Sequence, residues 1–315
     1  MGLFSSIFGG KTEQTPEEKQ INKNFDILKY DGIRARNIGQ ICYAIKCFEQ
    51  ACNLKEEAET MRFLAQSYLQ AERLEEAKNL LTKLTAVFPE QAEDWILLAQ
   101  VCFMNEDYAT MKTASQKAIE MDNENASGFL LNGKAEKGLN NPLQALAMFT
   151  KAILLKEDFQ EAYLLRAEIL WNMKQTKDAQ EDLDKLLTLN PHNEEALLLK
   201  GKIEVALGNI ETAHQLFDAI INENPFNEKA YLLKGTLYME QKEFDQSIEI
   251  FSQGIELIPN SSILYQERGR AKLLKGDKDG SWDDMKTSLE LNPEANQQIN
   301  GNYNNFETQA KNIPW

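Results

Sequence analysis

The chain has 315 residues, with 34 Lys and Arg against 49 Asp and Glu, and a formal net charge of −15. A surface this acidic lacks the basic face that a nucleic-acid partner requires. Its 16 glycines and 8 prolines are few for a turn-rich sandwich or barrel, and a single compact core of this length is unusual.

Residues 1–24 read as a flexible, short amphipathic segment. Leu3, Phe4, Ile7 and Phe8 supply its apolar side, and Met1-Gly2 with Ser6 fits a myristoylation pattern. The segment lacks a basic stretch and a long apolar run, so it does not read as a secretory signal. No 18-residue apolar stretch follows, and a membrane-spanning helix is not expected. A cytoplasmic protein is the expectation. Cys42, Cys47, Cys52 and Cys102 form no CxxC pair, and His192 and His214 are the only histidines, so a metal site is not expected.

From Phe25 onward a fixed period governs the chain. Pro89, Pro191, Pro225, Pro259 and Pro293 are separated by multiples of 34 residues. With proline at position 32, eight units cover 25–57, 58–91, 92–125, 126–159, 160–193, 194–227, 228–261 and 262–295. Position 8 is Gly or Ala in all eight, running from Gly32 to Gly269. Position 20 is small in all but the third, which has Met111. Position 4 is large throughout, and position 24 is large except at Ser115. Positions 4, 8 and 11 share one face of a first helix, and 20, 24 and 27 share one face of a second. Small residues at 8 and 20 let the two axes approach, large ones fill the flanking space, and proline ends the second helix. A single pair cannot bury its apolar face, so the units must stack. Met111 and Ser115 predict a locally irregular third unit, and the first unit, without its proline, has the least certain register.

These columns resemble the tetratricopeptide repeat, most plainly in Tyr231, Lys234-Gly235, Tyr238, Phe251 and Pro259. The resemblance implies an all-α fold: a right-handed α-solenoid, or superhelix, of stacked antiparallel helix pairs in one elongated core. It also implies a concave groove, lined by the first helices, that binds extended peptides or partner helices. Helical spacing then marks a stripe of groove candidates at positions 5, 9 and 12: Ile96, Phe103, Leu130, Lys134, Leu164, Glu168, Trp171, Leu198, Lys202, Val205, Leu232, Met239 and Arg270. An apolar, aromatic stripe with a few cations suits an amphipathic helix or an extended peptide with some acidic residues. The same side chains could instead pack between adjacent units.

One known use of such repeats, a clamp for chaperone EEVD-type tails, needs cations and amides converging on a carboxylate. Lys29 matches, but Ile33, Phe63 and Leu97 stand where amides are required, so no such binding is expected. Asp277, Asp279, Asp283 and Asp284 faintly suggest a calcium loop, yet Ser288 replaces the necessary Glu and the stretch coincides with an inter-helix turn. Residues 296–315 read as a C-terminal cap and tail, with Ala295–Asn300 as a short helix and Phe306 and Trp315 able to fold back. No phosphate loop or acid–base pair is enforced by spacing. The function expected is a non-catalytic protein-interaction scaffold that uses no cofactor and no small-molecule substrate. A membrane-associated assembly factor, tethered through the apolar N-terminus, is the alternative.

Overall fold

The computed structural model describes residues 15–293. Sixteen helices account for most of them: α1 Pro16–Asn37, α2 Ile41–Leu54, α3 Ala58–Gln70, α4 Leu74–Val87, α5 Ala92–Met104, α6 Tyr108–Met121, α7 Ala126–Gly138, α8 Pro142–Leu155, α9 Gln160–Asn172, α10 Thr176–Leu189, α11 Glu194–Ala206, α12 Ile210–Glu223, α13 Glu228–Glu240, α14 Phe244–Leu257, α15 Ser262–Lys275 and α16 Lys278–Leu291. No strand occurs among the described residues. The fold is an all-α repeat solenoid built from helix pairs.

Each pair closes on a size match between its two helices. Where position 24 is Phe, position 8 is Gly: Phe48 lies over Gly32, Phe149 over Gly133, Phe217 over Gly201 and Phe251 over Gly235. A Cβ on Gly133 would stand 2.5 Å from the Phe149 ring. Where position 24 is Leu81 or Leu183, position 8 carries a methyl group, Ala65 or Ala167. The third pair inverts the sizes and stays regular, against expectation. Met111 and Ser115 are both fully buried. The Ser115 hydroxyl donates to the Met111 carbonyl at 2.8 Å and accepts from Asn132 Nδ2 at 3.0 Å. Met111 supplies the missing volume, and Asn132 reaches over to satisfy the hydroxyl.

The connection inside each pair is equally uniform. Position 15 adopts a left-handed backbone in all eight, at Gly39, Glu72, Glu106, Asn140, Lys174, Gly208, Lys242 and Gly276. Only three of these are glycine, the residue that takes this conformation at no steric cost.

Three expectations change. The chain is already helical at Pro16, nine residues before the first unit begins, so residues 16–24 are not a flexible segment. Thr15 caps α1 through a capping box with Glu18, and Pro16 opens the helix with its fixed φ. The single elongated core is replaced by two compact units, Met1–Glu157 and Asp158–Trp315. The first holds α1–α8 and the second α9–α16. The third unit of the repeat is not irregular. The N-terminal apolar positions and the C-terminal cap, with Phe306 and Trp315, lie outside the described residues.

Candidate functional site

In the first unit, the first helices of successive pairs touch through positions 9 and 12. The Arg36 guanidinium donates to Gln66 Oε1 at 2.9 Å and lies 4.6 Å from the Phe63 ring centre. Two pairs further on, the Lys134 ammonium sits 4.6 Å from the ring centre of Phe103, which is 40% exposed. Gln66 and Gln100 are exposed between them, and Ile96 is half-buried against the core. This face therefore offers an exposed aromatic ring and two exposed amides beside two half-buried cations.

The second unit presents the corresponding stripe differently. Leu164, Leu198, Leu232 and Met239 are buried, as is Leu130 in the first unit. Leu198 belongs to a core cluster with Phe217 and Leu233, and Leu232 and Met239 to one with Tyr231 and Phe251. Glu168 and Lys202 are also buried. These seven groove candidates are buried within the chain, the packing role that the sequence also allows. Position 5 faces partly toward the neighbouring first helix, which the period alone does not reveal. Burial pushes the Lys202 ammonium down to about 8, the nearby Lys229 adds to that, and Glu168 opposes it. Trp171 and Val205 are half-buried, and Lys174 lies 5.7 Å from the Trp171 ring centre. Arg270 pairs with Glu267 at 3.3 Å.

Charged positions outside the stripe stitch the helices together. Position 7 of the second unit is a cation in every pair. Arg166 makes a two-pronged pair with Asp182 at 2.8 and 2.6 Å, and Arg268 does the same with Asp284 at 2.9 and 2.6 Å. Lys200 meets Asp184 at 2.5 Å, and Lys234 meets Asp218. Each acid lies 16 residues from its cation, a spacing visible in the sequence but outside the four columns that define the repeat. In the first unit Arg62 grips the buried Asp94 at 2.7 and 2.8 Å. Lys29, the one residue that matched the chaperone clamp, is held by Glu57 at 2.7 Å and Glu59 at 2.5 Å.

Asp277 acts locally: it caps α16 by accepting from the Gly280 amide at 2.9 Å. Among the described residues no group of His, Cys, Asp and Glu is arranged to hold a metal ion, and no helix is long and apolar enough to cross a membrane. All four cysteines are free thiols. Burial pushes the Cys52 and Cys102 thiols up to about 11.

Comparison with known proteins places this architecture. Residues 143–285 match the family model described as the N-terminal ARM repeat of tetratricopeptide repeat protein 21, and residues 64–110 match the tetratricopeptide repeat. No curated protein matches the sequence. A tetratricopeptide repeat protein from Parabacteroides merdae superposes with a TM-score of 0.60 at 17% identity, covering 76% of this chain and 95% of that one. Pseudomonas aeruginosa pilF gives 0.54 at 16% identity, over 67% and 96%. A chain of the APC/C hetero-tetramer Cut9–Hcn1 gives 0.55 at 16% identity, over 81% of this chain and 50% of that one, so the present chain spans half its length. At these identities the likeness is one of fold.

Proposed function

The chain is a tetratricopeptide-repeat protein, and from that premise we propose that it is a non-catalytic scaffold that binds an extended segment of a partner protein on the first unit. The observation that carries this reading is the line from Arg36 to Lys134, with Gln66, Gln100 and Phe103 exposed along it. An exposed aromatic ring held under a cation is a contact surface for an apolar side chain next to a carboxylate. The amides between them can pair with the backbone of an extended chain. Ile96 and Lys134 remain contact candidates, and in the second unit so do Trp171, Val205 and Arg270. Lys29 is already neutralised by two carboxylates, which argues against an EEVD-type clamp. Four free thiols suit a reducing compartment, and we place the protein in the cytoplasm.

A displayed peptide library selected on the full chain tests the proposal. Enriched peptides should carry an apolar residue beside an acidic one. They should lose at least tenfold in affinity, which is about 1.4 kcal/mol, on Phe103→Ala/Lys134→Glu. Equal affinity for the variant would refute the first-unit site. Leu198→Ala is unsuitable for this purpose, because it would open a core cavity rather than remove a contact.

A further inference from the structure

The first and last helix pairs each carry one half of an interface that recurs inside both units. Three contacts define that interface. Position 3 of a first helix packs on positions 27 and 28 of the preceding second helix, as Gly128 does on Ile119 and Leu264 on Gly254. Position 6 meets positions 12 and 24 of the preceding pair, as Phe63 meets Arg36 and, at 5.8 Å between ring centres, Phe48. Position 14 meets position 21: Gln241 Oε1 accepts at 3.0 Å from His214 Nε2, and the His214 ring also stacks on Tyr238 at 4.2 Å. In the six pairs that follow another within a unit, position 3 is always buried: Thr60, Asp94, Gly128, Ala196, Ala230 and Leu264.

No described helix pair precedes the first, and its positions 3, 6 and 14 are Ile27, Tyr30 and Ile38, exposed by 49%, 59% and 70%. The last pair precedes no described helix. Its positions 12 and 21 are Leu273 and Trp282, exposed by 38% and 70%, with Leu289 half-buried at position 28. Repeat end faces are ordinarily polar, since an apolar end invites association. Here the internal contact scheme would pair Ile27 with Leu289, Tyr30 with Leu273 and Ile38 with Trp282, apolar on apolar in each case. Arg34, exposed where other pairs bury small or apolar residues, is long enough to turn its charge outward toward Asp31, its partner at 2.9 Å.

We infer that α16 of one copy seats on α1 of a second copy, through the repeat-to-repeat interface itself. The second copy is the occupant that fits, because the two end faces are the two halves of one contact. Such a contact is head-to-tail, and each added copy leaves a fresh α1 face and a fresh α16 face, so association is open-ended unless the ring closes.

Sedimentation of the full chain over a range of concentrations tests this, with Tyr30→Asp and Trp282→Asp as variants. Both side chains are exposed, and circular dichroism verifies that the variants fold. The wild type should gain mass beyond a dimer as concentration rises, and each variant alone should stay monomeric. An equimolar mixture of the two variants should form a one-to-one complex and stop there, since each retains one intact face. A wild type that stays monomeric at every concentration would overturn the inference, with residues 1–14 or 294–315 or another protein then covering the ends. Variants that fail to complement each other would overturn it too, by pointing to a symmetric contact.

Discussion

A single methyl group decides how the two helices of a pair meet. At Gly133 it would collide with a fully buried ring, Phe149, while Ala65 and Ala167 carry that methyl opposite leucine. Gly133→Ala should therefore destabilise the protein by about 1–2 kcal/mol, because overpacking outweighs the gain of about 1 kcal/mol in helix propensity. Phe149→Leu should destabilise through the lost ring volume. The double variant should cost clearly less than the two added together, a coupling readable by denaturant unfolding. Strict additivity would mean that the pair does not share its space. Positions 8 and 24 were legible in the sequence because they depend on size alone. Their pairing was not, because it appears only when columns are compared within each repeat.

Acid sensitivity also belongs to particular residues. Burial works against ionisation of Glu136, but hydrogen bonds from Lys112 and Asn141 outweigh it and hold the carboxyl below its ordinary range. Glu57, held by Lys29 and Thr60, behaves alike. A carboxyl lowered in the folded state contributes stability at neutral pH that is lost as pH falls through its folded value. Glu136→Gln should thus lower the Tm at pH 7, and the gap from wild type should narrow toward pH 3. A gap independent of pH would contradict this assignment.

At the scale of the helix, the turn at position 15 sets each pair's geometry. Five non-glycine residues hold a left-handed backbone there, at about 1 kcal/mol each. Lys174→Gly should raise stability by a few tenths to about 1 kcal/mol, the relief being partly offset by glycine's greater freedom when unfolded. Gly208→Ala should lower it by about 1 kcal/mol, and thermal unfolding measures both. The helix pairs were legible because the 34-residue period repeats the same columns eight times. The start of α1 was missed because Thr15, Pro16 and Glu18 signal it outside that period. A capping box followed by proline was nonetheless there to be read.

Over the whole molecule, the period identified a face but not its accessibility. Whether Leu164 or Phe103 reaches solvent depends on how closely neighbouring first helices approach, and that distance is set by packing rather than by pattern. The two units consequently differ: the first presents Phe103 beneath Lys134, while the second buries Lys202 and Met239 at the equivalent positions. The salt-linked position 7 of the second unit fits a mainly structural role there. Hydrogen exchange of the full chain with and without a selected peptide tests the central claim most directly. The account predicts added protection on α3, α5 and α7, which carry Gln66, Phe103 and Lys134, with the second unit unchanged. Protection confined to α9–α16, or absent from the first helices of the first unit, would contradict it.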